Sequence, residues 1–230
     1  MIRRLLPLVL LFGVMELSAQ DARELLRDLN GKFRKVREYQ ADVLIRTDIS
    51  FVKALPVQAT VFFRQPDQFR IKSKGIAMLP RQGFDQVVRT LADTASYVPV
   101  LQGKEVFEGR ELQLLSVLPL SDTSDLILGK FWIDVSEKLI RRSQVTTRSN
   151  GTMTSDYFFG SQRQYALPDS MVFTVDTRKF KIPKAVAADL NNTKSSKPID
   201  PKAREKGKIY LRFSNYRVNQ GLPPDVFKSK

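Results

Sequence analysis

The sequence predicts an α+β fold that is mostly antiparallel β, a strongly curved sheet or incomplete barrel with a helix over its concave face. Three observations lead there. One amphipathic helix precedes the first strand, the side-chain period then switches to two and stays there, and the strands carry more apolar surface than one helix can hide.

Residues 1–20 read as a secretory signal peptide. Arg3 and Arg4 precede an apolar run from Leu5 to Met15 and the small-residue tract ending at Ala19 and Gln20. Eleven apolar residues fall short of the roughly 20 needed to span a bilayer. Cleavage is expected after Ala19 or one residue later, which leaves 21–230 as a single domain. The chain has no cysteine, so it offers neither a lipidation site nor a disulfide, and the expectation is a soluble, unlipidated, monomeric protein in the periplasm. Without Arg3, Arg4 and Glu16 the formal net charge falls from +14 to +13, an excess that suits anionic partners.

From Ala22 the apolar residues Leu25, Leu26, Leu29, Phe33 and Val36 follow helical spacing, and the helix is expected to end near Tyr39. Beyond it Val43, Ile45, Ile49 and Phe51 share one parity, and Asp42, Leu44, Arg46, Asp48 and Ser50 the other. Val57, Ala59, Val61 and Phe63 continue the pattern, then Phe69 and Ile71 after the turn Gln65–Pro66–Asp67–Gln68. The middle carries an apolar run from Ile76 to Pro80, helical spacing between Phe84 and Ala92, and a hairpin from Lys104 to Leu118 folded at Glu108–Gly109. Alternation returns in Phe131–Val135, Leu139–Thr147, Met153–Phe159 and Met171–Val175, with Asn150–Gly151 the strongest hairpin signal. The segment 181–208 has eight basic and three acidic residues and reads as an exposed basic loop, and Ile209–Val218 is the last strand.

Histidine and cysteine are both absent. The usual zinc, copper and haem ligands are therefore missing, as are Ser-His-Asp and Cys-His nucleophiles, and no glycine-rich phosphate loop occurs. No cofactor is expected. A glycosidase-type carboxylate pair drawn from Asp85, Asp134 and Asp156 remains as an enzymatic alternative, although a solvated outer strand face is the ordinary explanation for Asp134 and Asp156. Nucleic acid is not an expected partner, because Phe69 has the opposite parity to Arg70, Lys72 and Lys74 and cannot share a stacking face with them. The adjacent pairs Phe62–Phe63 and Phe158–Phe159 place a ring on each side of their strands.

The helix, Ala41–Asp42 to Phe51, Phe63–Arg64–Gln65–Pro66–Asp67–Gln68–Phe69–Arg70, Phe131–Trp132–Ile133–Asp134 and Phe213–Ser214–Asn215–Tyr216–Arg217–Val218–Asn219 together resemble the LolA-like outer-membrane lipoprotein-sorting proteins. The resemblance implies a half-open β-barrel closed by a helical lid over an apolar cavity for acyl chains of lipoproteins or other lipids. It also implies an inner-membrane donor and an outer-membrane acceptor. Carriers of that family place an arginine immediately before the turn proline. Here Gln65 holds that place and Arg64 lies one residue earlier on the other face, so no latch role passes to Arg64.

The expected function is a periplasmic carrier rather than an enzyme. The alternative is a sensor that docks an acidic protein or envelope polymer through the basic loop. The expected cavity lining is Val43, Ile45, Ile49, Val61, Phe63, Phe69, Ile71, Phe131, Ile133, Phe158, Phe173, Leu211 and Phe213.

Overall fold

A computed structural model describes residues 21–49, 55–73, 87, 91, 93–149, 151–176 and 206–228. The leader, Asp85, the Ile76–Pro80 run and the basic segment up to residue 205 lie outside these residues. A helix, α1, covers residues 21–33. It is followed by ten strands: β1 (Glu38–Asp48), β2 (Val57–Arg64), β3 (Gln68–Ser73), β4 (Tyr97–Phe107), β5 (Arg110–Pro119), β6 (Leu126–Asp134), β7 (Leu139–Thr147), β8 (Gly151–Phe158), β9 (Ser170–Asp176) and β10 (Lys206–Val218). All pairings are antiparallel, in one curved sheet of order β3-β2-β1-β10-β9-β8-β7-β6-β5-β4 that does not close on itself. Strand β10 begins at Lys206, so the last three residues assigned to the basic loop belong to the sheet.

Two meanders make up this sheet. Hairpins join β1 through β3 and β4 through β9, whereas β1 meets β10 from the far end of the sequence, in register from Tyr39 opposite Val218 to Asp48 opposite Lys208. The Glu108–Gly109 turn has positive φ at both residues, 49° and 74°, the requirement of the tight turn whose twist matches its strands. That hairpin is longer than the alternation suggested, since β4 starts at Tyr97. The edge strand β4 carries Pro99, a bulge at Gly103 and the charges of Lys104 and Glu105, features that blunt an edge against pairing with another chain.

Helix α1 ends at residue 33 rather than near Tyr39. The chain leaves the helix because other segments take its backbone groups. Asn219 donates its side-chain amide to the Lys35 carbonyl at 2.8 Å and accepts the Arg37 N–H at 2.8 Å. Gln65 donates its side-chain amide to the Val36 carbonyl at 2.9 Å and its backbone N–H to the Arg37 carbonyl at 2.8 Å. Tyr39 is then already a strand residue opposite Val218 and Phe63.

Two apolar clusters sit on the helix-facing, concave side. One contains Ala22, Leu26 and Leu29 of α1 with Leu115, Val117, Phe131, Ile133 and Val145 of β5–β7. Val87 and Leu91, both helical and four residues apart, complete it, in keeping with the helical spacing of their segment. The other joins β1, β2, β8, β9 and β10 through Val43, Ile45, Val61, Phe63, Tyr157, Phe173 and Leu211. On the convex side Phe62 is also buried, while Arg64 and Arg70 of the same face engage the C-terminal segment. The Arg64 guanidinium lies 5.2 Å from the Phe227 ring centre, and Arg70 donates to the Lys228 carbonyl at 2.5 Å.

Two glycines should respond in opposite directions. A methyl group on Gly31 meets nothing within 4 Å, so Gly31→Ala is expected to stabilise by about 0.5–1 kcal/mol through helix propensity. A Cβ on Gly129 would stand 2.7 Å from Val117 Cγ2 and 2.9 Å from the Phe131 ring, so Gly129→Ala is expected to cost about 1–3 kcal/mol. Urea denaturation of the three proteins checks both signs.

Candidate functional site

The concave face is built by register. Directly opposed residues of neighbouring strands share a face, and the rows Phe69–Phe63–Tyr39, Ile71–Val61–Ala41 and Val57–Ile45–Leu211–Met171–Tyr157 all point toward α1. Nine of the thirteen expected lining residues meet in one cluster: Val43, Ile45, Val61, Phe63, Phe69, Ile71, Phe173, Leu211 and Phe213. Phe131 and Ile133 are also on this side but lie in the second cluster with α1, and Ile49 is buried just beyond the end of β1. Phe158 requires correction. It pairs with Ser170 on the convex face and is 38% exposed, because the strand's two-residue period turns its neighbours Tyr157 and Phe159 inward instead.

An apolar cleft opens where α1 passes over β7 and β8. Leu29, Phe33, Ile140, Tyr157, Phe159 and Ala166 line most of it, with Val87 and Leu91 at one side and the polar Asn30 and Lys138 at its lip. None of the thirteen expected residues lines it. Leu29 and Phe33 were visible as the helix stripe and Phe159 as the partner of Phe158, but no local pattern assigns Ile140 or Tyr157 to a cleft. The cleft has about 40 Å³ of room, enough for about three water molecules. A space of that size does not hold an acyl chain with α1 in this position.

Aromatic rings run along the cleft floor and past it. Tyr157 and Phe159 stack at 6.5 Å, Phe33 meets Phe63 edge-on at 5.8 Å, and Phe63 stacks on Tyr39 at 5.5 Å. The Tyr157 hydroxyl is buried and hydrogen-bonded to Ser143 Oγ at 2.8 Å. Burial pushes its pKa up to about 12, so it stays neutral and serves as a hydrogen-bonded wall rather than a proton donor near neutral pH.

Polar contacts tie α1 down at the lip. Lys138 Nζ meets Asp28 Oδ2 at 2.7 Å, Lys32 Nζ donates to the Glu137 carbonyl at 2.5 Å and to the Arg163 carbonyl at 3.4 Å, and Asn30 donates to the Leu91 carbonyl at 2.9 Å. Partial burial lowers the Lys32 pKa, and the bonds from Lys138 hold the Asp28 carboxyl below its usual range.

Of the acids considered for catalysis, Asp134 and Asp156 are met by arginines. Buried Asp134 accepts from Ser136 Oγ at 2.7 Å, the Glu137 N–H at 3.0 Å and Arg141 Nη2 at 3.3 Å, and Arg110 stands 3.5 Å away. Burial alone would raise its pKa, yet the Ser136, Glu137 and Arg141 bonds together outweigh burial and lower it. Asp156 is on the convex face, opposite Val172, with Arg142 Nε at 2.5 Å. A pair of carboxylates serving a glycosidase must flank one substrate, and these two instead face separate arginines on different parts of the sheet. Among the described residues no group of three or more acidic side chains is placed to hold a metal ion, and no helix is long and apolar enough to cross a membrane.

Asp134 sets a pH dependence. Its native pKa is below the ordinary 3.8, so the unfolded chain binds the proton more tightly and the carboxylate's contribution is complete above that value. Asp134→Asn is expected to cost about 1–3 kcal/mol at neutral pH, with the difference from wild type shrinking as pH falls through and below 3.8, as denaturation midpoints across an acid series will measure.

No family model matches the sequence, and no curated protein matches it. Solved structures do match the fold. A DUF1329 family protein from Desulfovibrio piger aligns over 92% of this chain and 97% of its own, with a TM-score of 0.58 at 11% identity. A putative outer membrane lipoprotein-sorting protein domain from Vibrio parahaemolyticus aligns over 91% and 97%, with a TM-score of 0.55 at 11% identity. A LolA superfamily protein from Nitrosomonas europaea aligns over 90% and 97%, with a TM-score of 0.51 at 13% identity. The chain thus has the LolA-like fold, a ten-stranded open antiparallel sheet with a helix on its concave face, across nearly all its length.

Proposed function

We propose that this protein is a periplasmic carrier that shields the acyl chains of a lipid or lipoprotein between α1 and the concave face on the way to the outer membrane. It takes cargo from an inner-membrane donor and yields it to an outer-membrane acceptor, with no covalent step. The observation that carries this reading is the mismatch between cover and covered. The helix buries Leu26 and Leu29 against the β5–β7 half and reaches the other half through Phe33 on Phe63, while Phe69 and Phe213 of the same apolar face stay partly exposed.

The energetics favour exchange. Each acyl methylene withdrawn from water gains about 0.8 kcal/mol, so even part of a chain offsets the apolar contacts that α1 gives up on moving. The contact between Lys138 and Asp28 is half exposed, so water and salt screen it and it holds the helix only weakly. A lid held mainly by displaceable apolar contact suits a carrier that must also release. The expected lining carries over as a proposal with one change: Phe159 and Tyr157 replace Phe158.

Crosslinking tests the idea cleanly because the chain has no cysteine of its own. An Asp28→Cys/Lys138→Cys protein closed with a cleavable bismaleimide is expected to lose uptake of the apolar dye N-phenylnaphthylamine and to regain it when the linker is cut. Equal uptake by the locked and released forms would show that the helix guards no binding space.

A further inference from the structure

We propose that the lip of the cleft is a binding site for an anionic headgroup, so that the preferred cargo is an amphiphile with a carboxylate or phosphate next to its acyl chain. This rests on the carrier reading and adds to it the chemistry of the polar end.

The first argument is charge. Among the described residues at this rim, Lys32, Arg110, Lys138, Arg141 and Arg163 stand against Asp28, Asp134 and Glu137, an excess of two positive charges. Glu137 alone is approached by Arg110 at 3.7 Å, Arg141 at 2.8 Å and Arg163 at 3.9 Å. Three carboxylates cannot compensate five cations, and the shortfall lies beside an apolar slot.

The second argument is geometry. Lys138 is among the residues that line the cleft, with Asn30 beside it in the lining. Its ammonium has three donors, of which Asp28 takes one. Two donors remain beyond that contact, and the residue borders the cleft. Lys32 lies next in sequence to Phe33, and its ammonium binds the same turn, so a second cation backs the first. The Arg141 guanidinium lies 5.5 Å from the Phe159 ring centre and covers the aromatic wall from the same side. An acyl chain laid along Phe33, Tyr157 and Phe159 therefore ends in a ring of cations, and a neutral head there would leave their excess charge unmet. A headgroup anion would also compete with Asp28 for Lys138, which couples arrival of cargo to loosening of α1.

The experiment compares ligands that share a chain and differ in the head. Displacement of the uncharged dye N-phenylnaphthylamine is measured with palmitate, hexadecanol and hexadecyl phosphate. Palmitate and hexadecyl phosphate are expected to displace the dye at about tenfold lower concentration than hexadecanol in low salt, the worth of one charge-assisted bond near a surface, with the ratio shrinking as salt is added. Lys138→Gln should bring the palmitate-to-hexadecanol ratio close to one, and Lys138→Arg should retain it. The ratio isolates the head, because both ligands carry the same chain and both need the helix to open. Equal displacement by palmitate and hexadecanol in the unmodified protein, or a ratio unaltered by Lys138→Gln, overturns the headgroup site while leaving the carrier reading in place. Failure of the dye and of every amphiphile to bind overturns the carrier reading, and the headgroup site with it.

Discussion

The pairing of β1 with β10 is the contact on which the rest of the molecule depends. Every other strand pair is made by neighbours in the sequence, most of them closed over short connections at little entropic cost. This one joins residues 39–48 to residues 208–218, so it is the place where the chain's two meanders become one sheet. It also fixes the lid. Helix α1 leads directly into β1, and Asn219, just past the end of β10, bonds the backbone of Lys35 and Arg37 where the helix gives way to strand. The same seam that unites the sheet therefore sets the angle at which the helix enters the concave face.

A second consequence concerns the depth of that face. Between the bulky rings of Phe131 and Phe173 the intervening partners on β7 and β8 are Ser143 and Ser155, both buried. Small residues there leave a trough between two ridges, and Tyr157 leans over it with its hydroxyl on Ser143. A buried hydroxyl is costly unless bonded, and this bond lets a polar atom sit in an otherwise apolar wall. The helix meets the sheet beside this trough, where Leu29 and Phe33 face Ile140 and Tyr157 across the cleft.

Charge is sorted by position with similar economy. The concave face is apolar and aromatic, and arginines sit with carboxylates or rings at the rim and on the convex side. Arg142 shows the arrangement, bonded to Asp156 at 2.5 Å with its guanidinium 3.9 Å from the Phe107 ring centre. With no histidine in the chain, none of these clusters contains a group whose ordinary pKa lies near neutrality. The proposed binding draws its energy from apolar burial.

Periodicity was enough to read strand existence and faces for most of this protein, because a strand's side chains alternate whatever it pairs with. Val43, Ile45, Val61, Phe63, Phe69, Ile71, Leu211 and Phe213 were assignable from alternation and do share the concave side. Phe158 was misread because two adjacent rings fit either parity, and only the pairing of Tyr157 with Met171 and of Phe158 with Ser170 chooses between them. The helix boundary failed for a related reason: Val36 and Tyr39 keep helical spacing, but Asn219 and Gln65, remote in sequence, capture the intervening backbone. The cleft itself was decided by tertiary structure alone. Leu29 and Phe33 meet Ile140, Tyr157 and Phe159 more than a hundred residues away, at a place set by where the β1–β10 seam hangs the helix. Local pattern dictates which way each residue faces along its own strand or helix, whereas the space between two elements depends on how they are docked.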